Sequence, residues 1–188
     1  MTHPSRSAEQ EHAFKSLYEE VYGDLVKFVQ RRTDHDRAED VVADVFLVVW
    51  RRFQDAPGDL DGARAWVFGI ARNILLNERR GELRRSALGI RLADPASLPH
   101  ATAEVEAVVS RVDLSTAWRR LSEVHQEALS LTVFEGLPAP EAAVVIGISP
   151  VAFRLRLSRA RRALRRHLDH LPRANTTPTG LPERTTTS

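Results

Sequence analysis

The stretch from Pro140 to Arg166 constrains the fold more than any other part of the chain. Its first part is short and apolar and ends at Gly147, a residue type that favours the left-handed conformation in which helices stop. Ser149 then suits an N-cap, and Pro150 suits the first turn of a second, longer helix. The apolar positions of this second helix recur at helical spacing: Phe153, Leu157, Ala160 and Leu164. The pattern predicts a helix-turn-helix.

The second helix of this pair is strongly basic, with seven arginines from Arg154 to Arg166. The planar fork of arginine pairs with guanine edges or with phosphate oxygens. When a helix-turn-helix docks on a duplex, the N-terminal end of its second helix enters the major groove. The alternative is a solvated basic face with no ligand. The candidate residues for duplex DNA are Ser149, Val151, Ala152, Arg154, Arg156 and Arg159.

Charge divides the chain into an acidic front and a basic rear. Residues 1–61 carry 8 Lys and Arg against 13 Asp and Glu, and residues 62–188 carry 19 against 12, so the two parts have net charges of −5 and +7. Such a split indicates two different partners, one of them a polyanion, unless the charges are scattered by chance.

Composition excludes several classes of protein. The chain has no Cys, which excludes a disulfide scaffold, a thiolate zinc site and a cysteine nucleophile, and fits a reducing compartment. No apolar run reaches the roughly 18 residues of a membrane span, and the polar N-terminus has no signal-peptide core. We therefore expect a cytoplasmic protein with no membrane insertion.

Helical periodicity covers most of the remaining chain, over residues 13–32, 37–53, 63–85 and 111–135. The expected fold is all-α, with two small helical domains joined by a flexible linker. The predicted organisation is a disordered tail at 1–12, a first domain at 13–85, a linker at 86–110, a second domain at 111–170 and a disordered tail at 171–188.

The segment from Val41 to Trp50 is apolar at every position except Asp44. Its valines permit a strand, but the length of the run and its continuation into Arg51 favour a helix. A helix this apolar is either buried on all sides or exposes an apolar area to a protein partner.

The loop at 55–62 and the helix at 63–85 mix amide and aromatic side chains with arginines. This mixture suits single-stranded or melted DNA, whose bases stack on aromatic rings or accept hydrogen bonds outside the duplex. Trp66 starts the apolar stripe and is more typical of a core residue than of a stacking platform. A generic polar face remains the alternative. The candidate residues for this role are Arg64, Arg72, Asn73, Asn77, Arg79 and Arg80.

Other kinds of site are not indicated by the sequence. There is no Gly-rich phosphate loop and no combination of nucleophile, base and orienting group, so no catalytic residue is assigned and no enzyme is expected. His167 and His170 lack further ligands nearby, and neither a metal nor a cofactor is predicted.

Three segments resemble, in order and spacing, the motifs of extracytoplasmic-function (ECF) RNA polymerase sigma factors. Residues 38–50 (AEDVVADVFLVVW) resemble the polymerase-binding helix of region 2, and residues 65–73 (AWVFGIARN) look like its promoter-melting segment. Residues 146–149 (IGIS) with 156–161 (RLSRAR) are similar to the region 4 helix-turn-helix. The resemblance covers about residues 13–85 and 111–168.

The resemblance implies a set of roles. Region 2 would dock on the β′ clamp helices of core RNA polymerase and open the −10 element of promoter DNA. Region 4 would read the −35 element and touch the β-flap, and an anti-sigma factor is a candidate partner. The implied polymerase-binding residues are Asp40, Asp44, Phe46, Leu47 and Trp50.

Some positions depart from the family pattern. Ala43 stands where glutamine is usual, Ser122 replaces a common proline, and Ala152, Phe153 and Leu155 change the reading end of the last helix. The −35 sequence therefore cannot be inferred from that of relatives.

Three other functions compete with that of a sigma factor. They are a DNA-binding regulator that uses the helix-turn-helix alone, a nucleic-acid-processing enzyme, and a polymerase adaptor without promoter specificity.

Overall fold

The computed structural model describes residues 4–87 and 113–170, with side chains described from residue 8 to 84 and from 113 to 170. The N-terminal unit consists of three α-helices and one turn of 3-10 helix: α1 (Pro4–Gln30), α2 (His35–Arg51), η1 (Phe53–Asp55) and α3 (Leu60–Ala87). Each α-helix packs against the other two. The valine-rich segment lies in α2 and is helical, as predicted.

Helix α1 begins at Pro4, so residues 4–12 belong to a helix and the expectation of a tail at 1–12 is wrong for them. Proline fits the first turn of a helix because its missing N–H has no intrahelical partner there. The residues that follow are polar and, where described, mostly exposed. Apolar periodicity marks only the buried part of a helix, which is why the sequence pattern begins later than α1.

Helix α3 begins at Leu60, inside the predicted loop, because Asp59 caps it. The Asp59 carboxylate accepts a hydrogen bond from the Gly62 N–H at 2.7 Å, and the Asp59 carbonyl accepts the Ala63 N–H at 3.0 Å. Asp34 occupies the N-cap position of α2 but makes no side-chain capping bond there.

The C-terminal unit contains the helix-turn-helix. A helix at residues 113–119, named α4, precedes α5 (Glu123–Val133), α6 (Ala139–Ile146) and α7 (Pro150–Asp169). Gly147 ends α6 in the left-handed region at φ 70°, and the Ser149 hydroxyl accepts the Ala152 N–H at 3.2 Å. The predicted stop, cap and buried stripe of this motif are confirmed.

The two units pack against each other along α3 and α6. The two helices meet at Gly69, where an added Cβ would lie 3.8 Å from the Cα of Val145, an ordinary van der Waals contact. The buried side chains of both units form one continuous core. The predicted linker over 88–110 and the predicted tail over 171–188 lie outside the described residues.

Candidate protein and nucleic-acid interfaces

The first turns of α7 stand at the surface of the C-terminal unit. Phe153, Leu157 and Ala160 point into the core, and this orientation turns the opposite side of the helix outward. Val151 is 71% exposed, whereas Arg156 is half-buried. The exposed residues among the −35 candidates are Ser149, Val151, Ala152, Arg154 and Arg159.

No carboxylate within the described residues lies within 4.0 Å of the arginines of α7. Several of these arginines line a groove on the surface of α7. The groove runs along the helix from Arg154 to Arg165. A row of cations along a helix-turn-helix recognition helix has the geometry that contacts phosphates and, at the N-terminal end of the helix, base edges of a duplex.

Helix α2 carries an exposed patch that is both acidic and apolar. Asp40 and Asp44 are exposed, Leu47 is 53% exposed, and Trp50 is 38% exposed. We call these four residues the α2 patch. Large apolar side chains beside carboxylates at a surface are typical of a protein-binding site.

Phe46 does not belong to the α2 patch, and its sequence-based assignment to the polymerase-binding surface is not supported by its position. Only 7% of Phe46 is exposed, because its ring packs against Tyr18 with the centroids 4.5 Å apart. One apolar residue in a run of ten cannot be assigned to core or surface from its type alone.

Two tyrosines of α1 extend the apolar surface beside the α2 patch, and the sequence analysis did not single them out as site residues. Tyr18 and Tyr22 are 37% and 40% exposed, and Phe14 links α1 to α2 by packing edge-on against Trp50 at 5.0 Å. Their i, i+4 spacing indicated one helix face but did not show that this face borders α2.

Two arginines of α3 are paired with carboxylates of α5. Arg72 donates two hydrogen bonds to Glu127 of α5, from Nε to Oε1 at 2.6 Å and from Nη2 to Oε2 at 3.0 Å. Arg79 donates to the carboxylate of Glu123, also on α5, at 2.6 Å. Of the six residues proposed for melted DNA, Asn73, Asn77, Arg79 and Arg80 are exposed, whereas Arg64 and Arg72 are half-buried.

Arg64 joins both units. Its Nη2 donates to the Asp24 carboxylate of α1 and to the backbone carbonyl of Glu135, each at 2.9 Å. Its guanidinium also lies over the Phe68 ring at 5.1 Å from the centroid.

Glu135 is the one buried charged residue among those that the structure describes, and it lies between the two units. Its side chain is 1% exposed and pairs with Arg31 and with Arg32, the latter at 3.0 Å. Arg32 in turn stacks on the Phe28 ring at 3.7 Å from the centroid. Burial lowers the pKa of Arg32, and the carboxylate of Glu135 opposes that shift.

Trp66 is partly buried against the core, as its place in the apolar stripe predicted. Its remaining surface lines a cleft between α3 and α6, together with Arg72 and Asn73 on one side and Val144 on the other. Trp66 and Asn73 therefore face the C-terminal unit across this cleft.

No group of three or more His, Asp or Glu side chains in the described parts of the chain is arranged to hold a metal ion. Within residues 4–87 and 113–170, no helix combines the length and the apolar character that crossing a membrane requires.

Two family models match the two units in chain order. Sigma-70 region 2 matches residues 17–85, and Sigma-70, region 4 matches residues 111–164. The first match covers the helices with the α2 patch and the α3 arginines, and the second covers the helix-turn-helix.

Among curated proteins, the ECF RNA polymerase sigma factor SigL of Mycobacterium tuberculosis is 31% identical over 160 residues, covering 84% of this chain and 89% of SigL. The RNA polymerase sigma factor CnrH of Cupriavidus metallidurans is 31% identical over 140 residues, covering 70% of this chain and 73% of CnrH.

Solved structures show the same arrangement of helices. The sigma factor RpoE of Bartonella quintana, in complex with the anti-sigma factor NepR, has a TM-score of 0.62 at 26% identity and covers 84% of this chain and 98% of its own. CnrH in complex with the cytosolic domain of CnrY has a TM-score of 0.56 at 27% identity, with 85% and 89% covered. Sequence motifs, fold and relatives agree, and the chain belongs to the ECF family of RNA polymerase sigma factors.

Proposed function

We propose that this sigma factor binds core RNA polymerase through the α2 patch and directs initiation by reading a −35 element with α7 and opening a −10 element with α3. The observation that carries the proposal is the exposed N-terminal turn of α7, which offers Val151 and Arg154 above a buried stripe. A repressor would share this feature but does not need an acidic and aromatic patch on a second unit.

At the −35 element, residues at the start of α7 face the base edges. Arg154 is an exposed donor that suits guanine O6 and N7, and Val151 offers a methyl contact to thymine. Arg156 is half-buried and Arg159 lies a turn further on, so both suit phosphate oxygens better than bases.

At the polymerase, the α2 patch suits the clamp helices of β′. Asp40 and Asp44 supply charge, and Leu47 and Trp50 supply apolar area that desolvates on docking. Tyr18 and Tyr22 extend the same surface. The exposed Val133 and Phe134 at the C-terminal end of α5 give region 4 an apolar edge of its own for the β-flap.

The protein acts in the cytoplasm beside the polymerase and makes no RNA itself. Catalysis belongs to the polymerase, and the sigma factor supplies promoter choice. Two structurally similar sigma factors were solved with NepR and with CnrY, and NepR is an anti-sigma factor. By that similarity, an anti-sigma protein is a further partner of this chain.

Run-off transcription tests the proposal. Core polymerase and the full chain are incubated with fragmented genomic DNA, and the upstream regions of the products are sequenced. We expect products that start downstream of one shared pair of elements. Products without a shared upstream element would point to an adaptor without promoter specificity, and DNA binding without any products would point to a regulator that uses the helix-turn-helix alone.

A further inference from the structure

We propose that the −35 element of this sigma factor contains two neighbouring thymines, whose 5-methyl groups are read by Val151 and Leu155 of α7. We call these two side chains the reading pair. The inference rests on the function proposed above, in which α7 docks on the −35 duplex, and it adds which bases this helix selects.

The reading pair lies on the side of α7 that points away from the core. With about 3.6 residues per helical turn, positions 151, 155 and 158 fall within about 60° of one another around the helix axis. The buried Phe153 and Leu157 lie on the opposite side. A helix that docks with its outward side in the major groove therefore brings the reading pair to the floor of the groove, where the base edges are.

Both members of the reading pair expose apolar surface to solvent. Val151 is 71% exposed and Leu155 is 51% exposed. They are four residues apart on one helix, so their methyl groups form a continuous apolar area at the end of α7 that would enter the groove. Contact with an apolar group of the ligand would remove this area from water and stabilise the complex.

The charges around the reading pair favour duplex DNA as its occupant. Arginines lie on both sides of the line that the pair makes along the helix, with Arg154, Arg161 and Arg165 on one side and Arg159 and Arg166 on the other. Within the described residues, no carboxylate lies within 4.0 Å of these arginines. Two rows of cations beside an apolar line match the two phosphate strands that border a major groove.

Thymine is the base that an apolar pair selects in the major groove. It is the only one of the four bases that presents a methyl group there. The amino groups of adenine and cytosine and the acceptors of guanine would lose water against valine or leucine without gaining a hydrogen bond in exchange. The reading pair therefore favours thymine and also disfavours the other three bases.

The spacing of the reading pair limits where the two thymines can lie. At about 1.5 Å per residue, Val151 and Leu155 are about 6 Å apart along the helix axis. Bases of one strand are about 3.4 Å apart, so the pair reaches thymines that are one or two base pairs apart, on either strand. Arg154 lies between the two positions in sequence and suits a guanine beside them.

Replacement of thymine by deoxyuridine tests the proposal, because it removes only the 5-methyl group. The full chain with core polymerase is bound to promoter duplexes mapped by run-off transcription, each with one thymine of the −35 element replaced. Fluorescence anisotropy measures the binding, and replaced thymines in the spacer serve as the control. We expect about a three- to fivefold loss of affinity at two neighbouring positions. Equal binding of all these duplexes would overturn the proposal.

Substitutions on α7 assign each contact to a side chain. Leu155→Asn should remove the difference between thymine and deoxyuridine at one position, and Val151→Ser should remove it at the other. Leu168→Asn is the matched control at the far end of α7, where Leu168 is 36% exposed, and it should retain both differences. Each comparison is made within one variant, so a general weakening of binding cancels. Differences that persisted in both variants would overturn the assignment to the reading pair.

The outcomes separate this inference from the function on which it rests. Sequence-specific binding that is indifferent to deoxyuridine would contradict the reading pair and leave −35 recognition by α7 standing. A mapped −35 element without thymine on either strand would have the same meaning. Absence of sequence-specific binding to any upstream element would contradict both the inference and the proposed function.

Discussion

Glu135 shows how a single buried charge ties the two units together. Its carboxylate pairs with Arg31 and Arg32, and its backbone carbonyl accepts a hydrogen bond from Arg64. No buried side-chain nitrogen or oxygen in the described residues lacks a hydrogen-bond partner, so this cluster is satisfied throughout. In a complete buried ion cluster the mutual attraction offsets the desolvation of the charges, whereas removal of one member leaves an uncompensated charge and destabilises the fold.

We therefore expect Glu135→Gln to lower the free energy of unfolding by about 2 kcal/mol. This figure lies below the ~3–5 kcal/mol of a fully buried pair, because the two arginine side chains keep 29% and 22% exposure. Urea denaturation measures the change. The exposed Glu123 serves as the comparison, and its Gln variant should lose less than ~1 kcal/mol. Similar losses in both variants would contradict a special role for Glu135.

Glu141 on α6 lies near the carboxylates of Asp61 and Asp59, whereas Glu135 is paired with two arginines. Burial raises the pKa of Glu141, and the charges of Asp61 and Asp59 raise it further. Since the raised pKa belongs to the folded state, stability from this group is present at acidic pH and is lost as pH rises through that pKa. We expect Glu141→Gln to stabilise the fold at neutral pH and to lose that advantage in mildly acidic buffer. Thermal melts at both pH values test this, and an advantage independent of pH would contradict it.

At the scale of elements, α7 was the most predictable part of the chain. Its N-cap, first-turn proline, buried stripe and arginines all follow from local spacing, and local spacing is preserved in the fold. The start of α1 was not predictable, because an exposed helix end leaves no apolar signal. The place of Phe46 depended on which side of α2 meets α1, and a nearly continuous apolar run does not specify this.

Helix α7 yields a direct prediction for DNA reading. Arg154→Ala should weaken binding to the −35 duplex by about 1–3 kcal/mol and relax the preference at one base pair, since Arg154 is exposed at the reading end. Arg159→Ala should weaken binding to all sequences alike and reduce the salt slope by about 1, as expected for a phosphate contact. Anisotropy titrations at several salt concentrations distinguish the two. Equal behaviour of both variants would contradict the division of roles along α7.

Helix α2 yields a prediction for polymerase binding. Asp44→Arg reverses the charge of a residue that we propose to dock on core polymerase, and it should lower the affinity for core polymerase at least about tenfold. Asp44 is exposed, so the helix itself should remain folded. Pull-down with core polymerase measures the effect, with Glu20→Arg on the neighbouring α1 as a charge-reversal control. If core polymerase retained the Asp44 variant as well as it retains the wild-type chain, docking through the α2 patch would be contradicted.

At the scale of the whole molecule, the sequence predicted two helical units but not how they face each other. The residues that join them are 55 positions apart for Arg72 and Glu127 and 104 for Arg31 and Glu135. No local pattern reports such pairings, because they depend on α6 meeting α3 at Gly69. The net charges of −5 for residues 1–61 and +7 for residues 62–188 could be counted from the sequence, but the pairing of the charges between the units could not. In the structure, arginines of the N-terminal unit pair with carboxylates of the C-terminal unit.

Permanganate footprinting of a promoter complex tests most directly the claim that one chain divides promoter recognition between α3 and α7. Core polymerase with the wild-type chain should make thymines of the −10 element reactive and protect the −35 element from nuclease. The double variant Arg72→Ala with Arg79→Ala should abolish thymine reactivity and keep the protection of the −35 element. Arg154→Ala should weaken the protection of the −35 element before it affects thymine reactivity at the −10 element. Full −10 melting by the Arg72 and Arg79 double variant would contradict the account.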